Sequence, residues 1–238
     1  MRRFNAIFRK ELQAYFVAPT TYVALAIYVL VTSLFFYVNF VMLQPSIIDF
    51  RIVSTNNTFM YLLVVPLLTM RLISDEFRLG TDELLLTSPA RLYEIVLGKY
   101  AAAVIFMLVL VGTSLLYPIV MSFFGTMDLR IIATTTLGMC LLTCAMAAVG
   151  LFASTLSQHQ MVGGIAAFVM LMVFWMMDYA AALGSGTFHD LLVHFAMDQR
   201  LDSFMKGVIN GSDTLFFITM SALFIFLSIQ MLQRNRWR

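Results

Sequence analysis

Charge is what this sequence has least of. Asp, Glu, Lys and Arg make up 12% of its 238 residues, about half of the roughly 25% found in soluble globular chains. Apolar residues reach 61%. So few charges cannot solvate a globule of this size, which excludes an ordinary soluble enzyme and a disordered regulator. The net charge of +2 leaves no electrostatic footprint for phosphate, so no nucleic-acid partner is expected. Cysteine is confined to Cys140 and Cys144, four apart in an apolar run and therefore on one face of a helix. A bridge within one helix is strained, so both read as small packing residues. The histidines, His159, His189 and His194, lack metal-ligand spacing with the cysteines. A weak site formed by His189 and His194 with Asp190, Asp198 and Asp202 competes there with the plainer reading of a solvated loop, and no metal is assigned.

Catalytic motifs are missing too. There is no H-E-x-x-H and no G-x-S-x-G, the Gly184-Ser185-Gly186 stretch being too short. A hydrolase within the membrane would have to draw on Ser154, Ser157 and His159, which have no obvious acid partner. The sole Gly-Lys pair, Gly98-Lys99, is followed by Tyr100, so the nucleotide-binding pattern G-x-x-x-x-G-K-[ST] fails. No catalytic residue and no cofactor is therefore assigned to this chain. Within the apolar runs Asp178 is the one carboxylate, while Arg71 and Lys99 sit near run ends, where long side chains are expected to snorkel. An ion-driven transporter would carry acids near the midplane. If the chain moves something, its energy comes from a partner.

Long apolar runs are what the sequence does have. A membrane-crossing helix needs about 20 mostly apolar residues. Six stretches qualify, at 20–43, 58–73, 95–124, 131–155, 161–183 and 214–232. The second is short and contains Pro66, and Pro118 predicts a kink in the third. The expected fold is all-α, one polytopic membrane domain over 1–238. An even number of spans puts both termini on one side. That side gathers Arg2, Arg3, Arg9, Lys10, Arg71, Arg78, Arg91, Lys99, Arg234, Arg236 and Arg238, against Arg51, Arg130, Arg200 and Lys206 on the other. The positive-inside rule then makes both termini cytoplasmic.

Residues 4–16 read as an amphipathic interfacial helix and not as a cleaved signal. Phe4, Ile7, Phe8, Leu12, Tyr15 and Phe16 recur every three or four residues among Arg3, Arg9, Lys10 and Glu11. In the fourth run Thr136, Cys140, Cys144 and Ala148 form a candidate helix-association ridge of small residues, for a second subunit or for packing inside one. Dense aromatics in the first run (Tyr28, Phe35, Phe36, Tyr37, Phe40) fit lipid contact or a greasy substrate path.

The loop 74–97 carries the most information. Gly80 breaks the preceding helix and Thr81 can cap a new, short one, with Asp82 and Glu83 at its positive end. Leu84, Leu85 and Leu86 cannot all face one side, so some meet lipid, the bundle or a partner. Ser88 and Pro89 are expected to start the next helix as N-cap and first-turn proline.

The stretch Asp75-Glu76-x-Arg78-x-Gly80-Thr81-x-Glu83-Leu84-Leu85-Leu86-Thr87-Ser88-Pro89, with Glu94-Ile95-Val96-Leu97-Gly98-Lys99-Tyr100 after it, resembles the coupling region of ABC-2 type exporter permeases, most closely the gliding-motility-associated branch. His194-Phe195 and Phe204-x-Lys206-Gly207-Val208-Ile209, ending at Asp213, resemble that branch's outward segment, and Arg9-Lys10-Glu11-Leu12 with Tyr15-Phe16 its entrance helix. Asn210-Gly211-Ser212 departs from it, where an acidic residue is common.

The resemblance implies a permease without its own ATPase site, in a bacterial inner membrane. It further implies two copies of a cytoplasmic ATPase that hold the ATP and Mg, a second permease copy as a homodimer, and contact with membrane lipid. Thr81, Asp82, Glu83, Leu84, Leu85 and Leu86 would be the ATPase-coupling helix, flanked by Asp75, Glu76, Arg78, Gly80, Ser88 and Pro89. With no large outer domain in the chain, any capture outside falls to an outer accessory protein. A non-transporting membrane scaffold or assembly factor is the alternative that composition permits, and an intramembrane hydrolase a more distant one.

Overall fold

The computed structural model describes residues 2–43, 50–80, 91–183 and 194–236. They form α1 (Arg2–Val17), α2 (Pro19–Phe36, running on into a π-helical turn Tyr37–Met42), α3 (Phe50–Thr69), α4 (Ser74–Leu79), α5 (Leu92–Ser114), α6 (Leu116–Met121), α7 (Leu129–Thr155), α8 (Gln160–Leu183), α9 (Met197–Met205) and α10 (Gly211–Arg236). No strand occurs among the described residues. Six helical stretches are long and apolar enough to cross a membrane: α2 with its π-turn, α3 with α4, α5 with α6, α7, α8 and α10. The chain is an all-α, multi-pass membrane protein.

Two boundaries differ from the sequence reading, each for a physical reason. The second span begins at Phe50 and not near residue 58. Arg51, Ser54, Thr55, Asn56 and Asn57 dilute its apolar signal, giving it the lowest mean hydropathy of the six. Yet 72% of its most apolar window is buried by protein, against 11% for the first span. A span wrapped by other helices can carry polar side chains that lipid would reject. Ser54 and Thr58 turn their hydroxyls back to the carbonyls of Phe50 and Ser54.

The third span starts at Leu92 and not at residue 95. Arg91, extended at the N-cap, donates its backbone N–H to Glu94 Oε2 at 3.0 Å. The break expected from Pro118 is present, one turn earlier. Proline lacks the N–H that would reach Ser114, and α5 ends there. Pro66, by contrast, leaves α3 continuous.

α7 is the centre of the bundle, packed against α10, α8, α3, α5 and α9. Small residues allow this. A Cβ on Gly150 would lie 2.1 Å from Thr69 Oγ1 of α3, and one on Gly138 would lie 2.7 Å from Phe204 Cβ of α9. The small-residue ridge lies on the same helix. Ala148 is fully buried, the Cys144 carbonyl accepts from Tyr100 of α5 at 3.1 Å, and Thr136, Cys140 and Cys144 are half-buried. At Cys144 and Ala148 the ridge is thus used inside the chain. α2 hangs at the edge, joined to α3 by stacked, hydrogen-bonded Tyr28 and Tyr61 and to α6 by Thr32 and Tyr117, 2.7 Å apart. Of its aromatics, Tyr28 is fully buried and Tyr37 is 52% exposed.

Asn57 of α3 is 1% exposed, and neither its amide oxygen nor its nitrogen has a hydrogen-bond partner. An unmet buried amide costs about 1–3 kcal/mol, whereas an apolar replacement of similar size escapes that cost. Asn57→Leu is therefore expected to raise the melting temperature of the detergent-solubilised protein. A lowered one would show that the amide has a partner in the working protein.

Candidate functional site

The site is built where chain segments far apart in sequence meet at one end of the bundle. α1 lies along the start of α5, with Ile7 against Gly98: a Cβ there would come within 3.1 Å of Ile7 Cγ2. The apolar stripe read from the sequence makes this contact. Phe8 and Leu12 pack on the core, and Tyr15 is buried, stacked on Phe106. Phe4, half-buried, stacks on Phe8. The Tyr15 hydroxyl donates to the Leu68 carbonyl at 2.9 Å, and burial pushes its pKa above the ordinary phenol value.

The charged face of α1 closes on the same place. Lys99 of α5 is 2% exposed, and its ammonium reaches Glu11 Oε1 of α1 at 2.9 Å, Glu76 Oε1 of α4 at 3.0 Å and the Leu72 carbonyl at 2.6 Å. Lys99 therefore does not snorkel as the sequence suggested. Its three N–H donors are spent on three acceptors from three segments, and both carboxylates are themselves mostly buried. One turn away Arg71 bonds the hydroxyls of Thr20 at 2.7 Å and Thr21 at 2.5 Å and lies over the Tyr15 ring. The start of the first span, the end of the second, α4, the start of α5 and α1 are thus tied by charge into one body.

Of the flanking residues singled out in the sequence, Glu76 belongs to this triad and Asp75 lines the adjoining cavity. Asp75 makes a long 3.5 Å contact with Arg78. Gly80 ends α4 with a left-handed φ of 64°, the helix stop expected of it. Thr81, Asp82, Glu83, Leu84, Leu85, Leu86, Ser88 and Pro89 lie outside the described residues. Sequence reasoning missed the triad because Glu11 stands 88 positions from Lys99. The only available signal was a lysine set among apolar residues with too few charges around it to be casual.

At the other end of the bundle, amphipathic α9 buries Met197, Leu201, Phe204 and Met205. Arg200 joins it to α10 through Asp213 at 2.7 Å and lies over Phe216. The stretch from His194 to Asp213 is therefore closed on itself by its own basic and acidic residues. His189 and Asp190 lie outside the described residues. Ser154 is buried with its hydroxyl turned to the Leu151 carbonyl, while His159 is exposed beyond the helix end. Among the described residues no His, Cys, Asp and Glu side chains are grouped to hold a metal.

No family model matches the chain, and no curated protein matches it.

Proposed function

We propose that this chain is the membrane-spanning permease subunit of an ATP-driven exporter, with hydrolysis of ATP performed by a separate cytoplasmic ATPase. The observation that carries the reading is the Glu11–Lys99–Glu76 triad. It locks α4, the helix leading into the stretch that resembles a coupling region, to α1 and to the start of the third span. A load applied at 81–86 would pass through Gly80 into α4 and then into both elements as one rigid unit, which a docking point for an external motor requires. On this reading Thr81, Asp82, Glu83, Leu84, Leu85 and Leu86 enter a cleft of the ATPase, two copies of the permease pair, and both termini face the cytoplasm of a bacterial inner membrane.

The test is purification from the native membrane with identification of the subunits that accompany the chain, followed by replacement of Glu83 and Leu84 with alanine. Copurification with a soluble ATPase is expected. The double variant should keep its helical content and lose most of the ATPase activity that responds to the permease, about tenfold or more if the contact behaves as an interface hot spot. Unchanged coupled ATPase activity in that variant would remove the assignment.

A further inference from the structure

A cavity of about 380 Å³ opens beside the triad, with Lys10, Arg71 and Asp75 in its wall next to Glu11, Glu76 and Lys99. We propose that it holds the headgroup of an ethanolamine phospholipid, with the phosphate at Lys10 and Arg71 and the ammonium at Asp75. The assignment is independent of the exporter reading.

Charge decides the class of ligand. Lys99 is saturated by its three acceptors and offers nothing to a ligand. With Glu11 and Glu76 it leaves the triad one negative charge. Lys10 and Arg71 add two positive charges and Asp75 one negative, so the wall carries both signs and is neutral overall. Such a wall suits a zwitterion better than an anion.

Arg71 is held in place by Thr20, Thr21 and the Tyr15 ring, at the start of α2. That helix has no acidic residue in its first turn and no side-chain cap at Ala18. A guanidinium beside a positive helix end is unfavourable alone and favourable with a phosphate between them. Asp75 lines the same cavity, its side chain 30% exposed; its Oδ1 is buried and accepts no hydrogen bond, the ion-pair contact to Arg78 being long at 3.5 Å. An acceptor in that state calls for N–H donors, which a primary ammonium has and a quaternary one lacks.

The source of the headgroup follows from the rest of the lining. Ala14, Ala18, Tyr15 and Leu72 give an apolar wall, and Phe16 and Val17, 46% and 79% exposed, stand beside it at the foot of the first span. This places the cavity at the level where headgroup passes into glycerol and acyl chain.

Native mass spectrometry of the delipidated full chain in detergent, with added phosphatidylethanolamine, phosphatidylcholine or phosphatidylglycerol, tests this. Phosphatidylethanolamine should be retained at least about fivefold better than the other two, the lower end of the range for one coupled interaction. Asp75→Asn should erase the preference over phosphatidylcholine, and Arg71→Gln should lower retention of all three. Equal retention by the unaltered chain, or an undiminished preference in Asp75→Asn, overturns the proposal. A photoreactive phosphatidylethanolamine on the unaltered chain removes dependence on the variants' folding: labelling within 10–18 or 71–76 is expected, and labelling only elsewhere overturns it. Displacement of the lipid by soluble phosphoethanolamine would overturn the lipid source.

Discussion

Replacing Lys99 with methionine is expected to lower the stability of the protein by about 3–5 kcal/mol, the usual cost of leaving one side of a buried ion pair without its partner. For a chain of this size that corresponds to a fall of roughly 10 °C in melting temperature. The magnitude follows from geometry. Glu11 and Glu76 converge on one ammonium at 2.9 and 3.0 Å, and their side chains are only 15% and 13% exposed. Without Lys99 two carboxylates face each other with little water to screen them. Lys99→Arg is no substitute, because a planar fork cannot direct single donors at two carboxylates and the Leu72 carbonyl as a rotating ammonium does. The triple variant Glu11→Gln, Lys99→Met, Glu76→Gln removes all three charges and should recover most of the lost stability, since neutral isosteres commonly tolerate such sites. That variant separates structure from function. If the triad serves as the clamp proposed above, the triple variant folds but fails to couple a partner ATPase. Measurement is by thermal unfolding in detergent and by coupled ATPase assay. A Lys99→Met protein that melts with the unaltered one would show that the ammonium is not needed where it lies.

The triad marks the limit of what the sequence disclosed. Span number and the helix stop at Gly80 were legible, because apolar run length and a glycine that accepts positive φ are local signals. So was α1, whose stripe of Ile7, Phe8, Leu12 and Tyr15 has the period of a helix with one apolar face. What that stripe packs against was not legible. An interfacial helix lying on lipid and a helix lying on α5 require the same pattern. Hydropathy also ranked the second span as the weakest, while the structure makes it the most enclosed, with Ser54, Asn57 and Thr58 all nearly inaccessible. Hydropathy reports preference for lipid, and a helix that meets mostly protein is under less pressure to show it. Lys99 was misplaced for a related reason. Its position near a span end suggested escape to water, and only the fold brings Glu11 and Glu76 to it.

Gly150→Ala should have the second large effect, because the backbones of α3 and α7 meet there without room for a methyl group. The added Cβ would lie 2.1 Å from Thr69 Oγ1, 2.8 Å from Thr69 Cβ and 3.0 Å from Thr69 Cγ2. Thr69 cannot swing aside cheaply. It is β-branched, fully buried, and its hydroxyl is held by the Val65 carbonyl at 2.9 Å. Nor can α7 retreat, since α10 packs closely on it. Overpacking of this kind costs about 1–3 kcal/mol and sometimes more, visible as a lowered melting temperature and a reduced monodisperse yield. Rescue provides the discriminating measurement. Thr69→Ala in the Gly150→Ala background removes the contacts at 2.1 and 3.0 Å but leaves the one at 2.8 Å. Partial recovery is therefore expected, and Thr69→Gly should restore packing further at the expense of helix propensity. If Gly150→Ala is neutral, or if Thr69→Ala adds to the loss instead of relieving it, the α3–α7 seam is not as close as described. The seam matters beyond stability. α3 leads through the turn at Arg71 into α4, so the same contact that fixes the core also fixes the base on which α4, Lys99 and α1 are assembled.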